Sequence, residues 1–275
     1  FKNNKFSRTE YEKFLLKSSV TAPAFEQNIV EQESRRQFFT FLSGGIIIPD
    51  ILIENFRSGT MERLGLGYPS LKKTNPALIY CEISGFGRTG PYKDRAGFDL
   101  VAQGMSGLMS ITGEGGERPL VKVGAPITDI SSGILAAMGV LAAYIERLKT
   151  GKGQRVETSL FEAGIVQTYW QSAISLATGV SPKPLGSAHP LNAPYQAYKT
   201  KDGWITVGAA NQKNWMRLLV VLENPALAEE KLFKNNSLRM KNLSKLNKIL
   251  DAIFREKTTH VWLKKFDLAG IPSGP

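Results

Sequence analysis

The sequence predicts an α/β fold, in which a large domain with a parallel sheet is followed by a small α+β domain. Three observations predict it. Apolar runs of strand length alternate with helix-type patterns in the first part of the chain, as in a parallel sheet with crossover helices. A proline-rich segment at 179–194 then interrupts this order. Beyond it, a hairpin pattern and amphipathic helices predict the second domain. The 275 residues suffice for one large domain or two modest ones.

The first predicted unit of the large domain is a strand, a helix and a second strand. Apolar residues at 46–53 predict a buried strand that ends in a polar loop, and 78–84 predicts another. A short helix over Tyr68–Lys73 lies between them and stops before Pro76. This order over about 35 residues predicts that the two strands pair in parallel.

The next unit is predicted to begin near Asp129. Apolar residues that follow it recur at intervals of four, three, four and three, which is one apolar face of a helix. These residues are Ile134, Met138, Leu141, Ile145 and Leu148. Gly151 ends the predicted helix, a strand follows over Arg155–Leu160, and a mostly apolar helix continues over Phe161–Thr178.

The small domain is predicted to open with a hairpin. Segments 195–199 and 204–208 alternate in polarity on either side of Asp202-Gly203, a strong hairpin signal. Amphipathic helices are predicted over 243–254 and 259–268. The predicted divisions are 1–48 as an unassigned N-terminal segment with short helices at 7–17 and 25–41, 49–184 as the large domain, and 185–275 as the small domain.

Composition excludes several classes of protein. Apolar and charged fractions of 42% and 21% are ordinary globular values, so extended disorder is not expected. The longest strongly apolar stretch, Ile134–Tyr144, is shorter than the roughly 20 residues of a membrane span, so no membrane partner is expected. One cysteine, Cys81, and two histidines predict no disulfide and no metal site.

The net charge of +11 has two interpretations, a solvated surface or a phosphorylated ligand. No nucleic-acid-binding motif accompanies it, so nucleic acid is not an expected partner. Several basic residues near the predicted loops could pair with phosphates. They are Arg57, Arg63, Lys93, Arg95, Arg118 and Lys122.

Asp129 also has two interpretations. Aspartate is a favoured helix N-cap, and Asp129 stands where the helix is predicted to start. The same place, at the end of a βα unit, is where open α/β sheets bind ligands. There a carboxylate can attack an activated acyl group, and backbone N–H groups can stabilise an oxyanion.

An ordered set of motifs extends these observations. They are Ile53–Gly65, Asn75–Tyr80, Ser84–Pro91, Arg95–Asp99, Ser106–Met109, Thr128-Asp129 and Thr150–Gln154. In this order they resemble the family III coenzyme A transferases. The resemblance implies a Rossmann-like large domain and an enzyme that moves CoA from an acyl-CoA donor to a carboxylic acid. The segment around 186–203 looks most similar to the branch that accepts dicarboxylates, with succinyl-CoA as the implied donor.

The resemblance also implies roles for individual residues. Asp129 is implied as the nucleophile, which forms first a mixed anhydride and then an aspartyl-CoA thioester. His189 and Asn192 are implied in a substrate loop, which lacks the glycine run of formyl-CoA transferase. CoA and acyl-CoA are implied as substrates, and no tightly bound cofactor is expected. The resemblance also implies a homodimer. The implied CoA-binding residues are Asn55, Phe56, Arg63, Leu64 and Arg95.

Two alternatives stay open within the same fold. An acyl-CoA racemase of this family would need a histidine at Phe98 and a glutamate at Asn211, and phenylalanine cannot serve as a base. The second alternative is a non-catalytic, truncated CoA-binding homologue. It stays open because residues 1–48 show no sign of the family's opening strand and because members of the family continue beyond the position of Pro275. The resemblance implies the mitochondrial matrix in a eukaryote and the cytoplasm otherwise.

Overall fold

The computed structural model describes residues 8–18, 21–25, 27–28, 31–32 and 50–275. Helix α1 (Arg8–Ser18) confirms the first helix expected in the N-terminal segment. The ring of Phe14 meets that of Phe25 edge-on, at a centroid distance of 4.9 Å. Most of the helix expected at 25–41, and positions 46–49 of the first strand, lie outside the described residues.

A parallel three-stranded sheet forms the first structural unit. Its strands lie in the order β1-β2-β3, with Ile51 opposite Ile79 and Tyr80 opposite Arg155. The predicted α/β class with a parallel sheet is therefore confirmed. The elements are β1 (Ile51–Glu54), α2 (Thr60–Arg63), α3 (Tyr68–Thr74), β2 (Ile79–Ser84), α4 (Asp99–Met105), α5 (Leu108–Ile111), α6 (Ile127–Thr150), β3 (Arg155–Ser159) and α7 (Leu160–Thr178).

The central strand β2 is covered on both faces. Alternate residues of a strand point to opposite faces. Tyr80 therefore packs with Leu71 of α3 in one core, whereas Cys81 packs with Ala136 and Val140 of α6 in another. A strand buried in this way reads as a continuous apolar run, which is why its position was predictable.

Two glycines let the chain approach this sheet closely. A Cβ at Gly139 of α6 would lie 2.6 Å from Cγ1 of Val156. A Cβ at Gly153 would lie 2.0 Å from the carbonyl oxygen of Leu78. The predicted end of α6 is confirmed at Gly151, whose φ of +70° is favourable only for glycine.

The apolar stripe of α6 faces away from the sheet. Its five residues, Ile134 to Leu148 in the spacing given above, are 55–70% exposed. The helix buries its small residues instead, because only they permit the close approach. Among the described residues, α6 is the one helix whose length and composition would allow it to span a membrane. It nevertheless packs on β2 and β3, as a core helix of the same composition does.

The second structural unit is an antiparallel sheet covered by helices. The predicted hairpin is confirmed: β4 and β5 pair with Tyr198 opposite Ile205, and β6 adds to β5. Its core contains Trp215, Phe254 and Trp262. The division at 184/185 stays a prediction. The elements are β4 (Tyr195–Lys199), β5 (Trp204–Gly208), α8 (Gln212–Val221), a 3₁₀ turn (Pro225–Ala228), α9 (Asn236–Lys241), α10 (Leu243–Phe254), α11 (Thr259–Ala269) and β6 (Ser273–Gly274).

Candidate active site

A cleft of about 340 Å³ lies at the carboxyl ends of the parallel strands. Segments that follow β1, β2 and β3 line it, together with the loop before α4 and the first turn of α6. Open α/β sheets bind their ligands at this edge, so the location itself marks a candidate site. The lining residues are Asn55, Phe56, Arg57, Ser58, Ser84, Gly85, Lys93, Arg95, Ala96, Gly97, Phe98, Asp129 and Leu160.

Asp129 is an exposed carboxylate in this cleft. It is the third residue of α6, whose N-cap is Pro126, so the interpretation of Asp129 as the N-cap is wrong. Within the described ranges, no hydrogen-bond donor or cation pairs with its carboxylate. Burial by the cleft walls, and then the negative charge of Asp99, raise the pKa of Asp129 above its ordinary value. Such a carboxylate has a free oxygen with which to attack an electrophile.

Most of the charged side chains that line the cleft are positive. Arg57, Lys93 and Arg95 line the cleft, and among the described lining residues Asp129 is the single acidic one. The guanidinium of Arg95 lies over the ring of Tyr92, 4.6 Å from its centroid. Guanidinium and ammonium groups at the mouth of a cleft suit a ligand that carries phosphate groups.

Two aromatic rings complete the walls. Phe56 is 54% exposed and Phe98 is 74% exposed, although both are large apolar side chains. Both line the cleft. A flat or apolar part of a ligand could cover these rings and gain the free energy of apolar burial.

The cleft is shaped by a close approach of two glycines. A Cβ on Gly97 would lie 2.6 Å from Cα of Gly85, and a Cβ on Gly85 would lie 2.8 Å from Cα of Gly97. The N–H of Phe161 donates to the carbonyl oxygen of Gly85 at 3.1 Å, which joins the end of β2 to the start of α7. Only glycine at both positions allows the two loops to meet.

A buried ion cluster connects the three parallel strands. Glu54 is opposite Glu82 in the sheet, and both carboxylates are almost fully buried. Arg88 pairs with both of them, and Arg155 pairs with Glu82 from the neighbouring strand. Glu54 also accepts a hydrogen bond from the N–H of Phe56 at 2.6 Å. The cluster therefore holds the backbone of Phe56 in position.

Sequence reasoning did not find this ion cluster. Charged residues in an apolar strand carry no periodic signal, and the pairing of Glu54 with Glu82 follows only from the strand register. Arg57 and Lys93 were among the candidate phosphate partners, and the structure places both in the cleft.

Two implied CoA-binding residues lie outside the cleft lining. Arg63 donates from Nη2 to Oγ1 of Thr60 at 3.0 Å, on the surface of the short helix α2. Leu64 follows it and is 38% exposed. Asn55, Phe56 and Arg95, by contrast, line the cleft with Asp129. The binding roles of all five residues stay predictions.

The implied substrate loop also lies outside this lining. The ring of His189 lies between those of Trp170 and Tyr195, at centroid distances of 4.6 and 5.1 Å. Its Nδ1 accepts a hydrogen bond from the N–H of Leu191 at 3.0 Å and lies 3.3 Å from Nδ2 of Asn192. Burial lowers the pKa of His189, so the neutral ring is favoured. The substrate role of His189 and Asn192 stays a prediction.

Two residues of α9 that sequence reasoning missed hold this loop. Asn236 accepts from the N–H of Ala193 at 3.1 Å and donates to the carbonyl oxygen of Leu191 at 2.8 Å. Arg239 is fully buried and donates to the carbonyl oxygen of Ala193 at 2.8 Å. A backbone carbonyl partner leaves no sequence pattern, so neither contact could be predicted.

The cleft is better suited to an organic anion than to a metal. Within residues 8–32, as far as they are described, and 50–275, no group of three histidine, cysteine or acidic residues could hold a metal ion. The lining supplies cations and aromatic rings, whereas hard metal ions require several oxygen ligands. The prediction of no metal and no bound cofactor stays a prediction.

Known proteins resemble this chain in sequence and in structure. The sequence matches the family described as CoA-transferase family III over residues 37–275. It is 40% identical over 226 residues to an acyl-CoA transferase of Fusarium pseudograminearum, covering 82% of this chain and 49% of that protein. It is 39% identical over 228 residues to the succinyl-CoA:glutarate CoA-transferase of Mus musculus, covering 83% and 52%.

A solved structure is similar as well. A CAIB/BAIF family protein from Brucella suis superposes with a TM-score of 0.69 at 39% identity, covering 82% of this chain and 60% of that one. The chain spans about half the length of the curated relatives it matches.

Proposed function

This chain belongs to CoA-transferase family III, and from that premise we propose that it moves CoA from an acyl-CoA donor to a carboxylic acid, with Asp129 as the nucleophile. One observation carries the proposal. The carboxylate of Asp129, which has no partner among the described residues, lines the same cleft as Arg57, Lys93, Arg95 and the ring of Phe56. A nucleophile and a surface for a phosphorylated carrier are thereby combined.

The proposed reaction begins with acyl transfer to the protein. A carboxylate oxygen of Asp129 attacks the thioester carbonyl of the donor, the C–S bond breaks, and CoA leaves as its thiolate. The resulting mixed anhydride is attacked by the thiolate at the Asp129 carbonyl. This step forms an aspartyl-CoA thioester and releases the donor acid as a carboxylate.

The second half of the reaction reverses these steps with the acceptor. A carboxylate of the acceptor attacks the aspartyl thioester and expels the thiolate, which gives a new mixed anhydride. The thiolate then attacks the acceptor's carbonyl, and Asp129 leaves as a carboxylate. One thioester replaces another, so no ATP is consumed. Positioning of the groups and stabilisation of each oxyanion account for the catalysis.

The lining residues suggest how CoA would be held. Arg57, Lys93 and Arg95 would pair with its phosphates. The exposed ring of Phe56 would lie against the adenine. This arrangement would direct the pantetheine arm toward Asp129, because the cations, Phe56 and Asp129 line the same cleft.

The racemase alternative has less support. Racemisation requires bases beside the α-carbon of the acyl group. Phe98 lines the cleft but has no titratable group. Asn211 is the N-cap of α8, and its side chain accepts from the N–H of Asn214 at 2.8 Å. The alternative of a non-catalytic CoA-binding homologue is decided by experiment.

The substrates and the assembly are finer parts of the proposal. A relative is named for succinyl-CoA and glutarate, which supports succinyl-CoA as donor and a dicarboxylate as acceptor. The homodimer, and the mitochondrial matrix in a eukaryote or the cytoplasm otherwise, follow from the resemblance alone.

The proposal is tested by transfer and trapping together. Succinyl-CoA and glutarate are incubated with the protein without ATP, and glutaryl-CoA is expected to form. In a parallel reaction hydroxylamine replaces glutarate, and peptide mass spectrometry is expected to find a hydroxamate at Asp129. A protein that binds CoA but gives neither product would instead be the non-catalytic homologue. Product without any hydroxamate at Asp129 would overturn the mechanism.

Replacing Arg95 with alanine is expected to weaken CoA binding about five- to tenfold, because one charge-assisted contact to phosphate is lost at an exposed site. Titration calorimetry with CoA at two salt concentrations measures the change. Arg118→Ala is the matched control, since Arg118 is exposed and pairs with Glu114 outside the cleft lining. Equal losses in the two variants would indicate a general effect of net charge rather than a binding role of Arg95.

A further inference from the structure

A second aspartate, Asp99, connects α4 to the first turn of α6. Its Oδ1 accepts hydrogen bonds from the N–H of Thr128 at 3.0 Å and from Oγ1 of Thr128 at 2.8 Å. Its Oδ2 accepts from Nε2 of Gln103 at 2.7 Å. Gln103 in turn accepts from the N–H of Val123 at 2.8 Å. Thr128 and Gln103 are both fully buried, whereas Asp99 is half-buried.

These contacts supply what the start of α6 lacks. The first N–H groups of a helix have no partner within the helix. The N-cap, Pro126, offers no side-chain acceptor. Asp99 therefore serves as the acceptor for this turn from another helix. The residue after Thr128 is Asp129, so the same contact determines where the Asp129 side chain begins.

The charge of Asp99 also acts on Asp129. Burial raises the pKa of Asp99, but hydrogen bonds from Thr128 and Gln103 and the charge of Lys122 outweigh it, so the pKa falls below its ordinary value. Asp99 thus stays ionised and raises the pKa of Asp129. Acylation makes Asp129 neutral, which relieves the repulsion between the two carboxylates.

Other charged groups lie on the elements that line the cleft or adjoin it. The cleft contributes the cations Arg57, Lys93 and Arg95. The carboxylate of Glu162, at the start of α7, accepts a hydrogen bond from Oγ of Ser159 at 2.8 Å. Lys122 directs its Nζ to the carbonyl oxygens of Val123 and Gly124, both at 3.1 Å.

We propose that Asp99 is a positioning residue for the reaction of Asp129: it fixes the first turn of α6 through Thr128 and places a negative charge behind the nucleophile. The proposal rests on Asp129 being the nucleophile, as proposed above. Asp99 itself is not among the described residues that line the cleft. Its effect is exerted on the geometry and the charge of its neighbour.

Two substitutions separate the two effects. Asp99→Asn removes the charge and the acceptor for Gln103 but keeps an oxygen that can accept from Thr128, so acylation is expected to slow less than about tenfold. Asp99→Ala removes that oxygen as well, and a displaced first turn is expected to slow acylation about a hundredfold. Asp267→Asn, an exposed aspartate of α11, is the matched control for charge and is expected to change nothing.

The decisive measurement is the titration of Asp129. Carbon-13 NMR of the carboxyl groups, with the Asp129 signal assigned by its absence from Asp129→Asn, follows the pH midpoint directly. In Asp99→Asn the midpoint is expected to fall, because a like charge has gone. The rate of single-turnover acylation by succinyl-CoA, measured against pH, should show the same shift on its acidic side. In Thr128→Val one hydrogen bond to Asp99 is lost while its carboxylate stays, so the rate should fall while the midpoint moves less than in Asp99→Asn.

The outcomes distinguish two failures. If the wild-type protein forms no acyl-enzyme, the proposed function fails, whatever the NMR titration shows. If it does form one, and Asp99→Asn and Asp99→Ala match its rate and midpoint, the positioning role is overturned alone. Melting temperatures and the folded fraction are measured for every variant. A rate loss that disappears when divided by the folded fraction also overturns the positioning role.

Discussion

Replacing Asp129 with asparagine should abolish the acyl-enzyme and lower the rate of CoA transfer by at least about a thousandfold. An amide oxygen is a far weaker nucleophile than a carboxylate oxygen, and its acylation cannot give an anhydride. The fold should be unaffected, because no described residue donates a hydrogen bond to this carboxylate. Steady-state transfer and the hydroxamate assay measure the two expected losses.

Binding separates catalysis from recognition in this variant. CoA should bind to Asp129→Asn at least as tightly as to the wild-type protein, since a negative charge has left a cleft that contains three cations. Asp267→Asn makes the same chemical change on the surface of α11 and should transfer CoA at the wild-type rate. Transfer by Asp129→Asn within tenfold of wild type would show that another group is the nucleophile.

Replacing Gly97 with alanine should open the cleft. The new Cβ would lie 2.6 Å from Cα of Gly85, which is backbone and cannot rotate away. We expect a loss of about 1–3 kcal/mol in the free energy of unfolding from overpacking. We also expect CoA affinity to fall more than about tenfold, because Lys93, Arg95 and Phe98 would shift away from Asp129. Denaturant titration and calorimetry measure these changes.

A second glycine provides the control for this substitution. Gly133 lies in α6, and a Cβ there would meet nothing within 4 Å. Gly133→Ala should therefore stabilise the helix by about 0.5–1 kcal/mol and leave CoA binding intact. If Gly97→Ala bound CoA as well as Gly133→Ala does, the approach of the two loops would not be what shapes the cleft.

Local sequence patterns predicted most of the regular elements. The apolar run of β2, the spacing of α6 and the Asp202-Gly203 turn all depend on residues close together in the chain. The short helices α4 and α5 were missed because each contains too few residues to show a period. The exposed stripe of α6 shows a further limit. Apolar spacing finds a face of a helix, but contact with a flat sheet requires small residues, and these carry little hydrophobicity.

The candidate site was predictable only in part. Asp129, Asn55, Phe56 and Arg95 occur in recognisable motifs, and the structure places them around one cleft. The interpretation of Asp129 as an N-cap was wrong because the helix starts at Ile127, after Pro126. Contacts between distant residues, such as Asp99 with Thr128, depend on how the helices pack, and one sequence does not contain that information in a local form.

The origin of the cleft's lining residues couples ligand binding to the folding of the whole parallel sheet. Its lining comes from five separate stretches between residues 55 and 160, which converge only when all three parallel strands have formed. An unfolded chain would therefore have almost no affinity for the ligand, and saturation at a hundred times the dissociation constant would stabilise the native state by about 2.7 kcal/mol. Heat resistance in the presence of different thioesters thus ranks their affinities before any turnover has been observed.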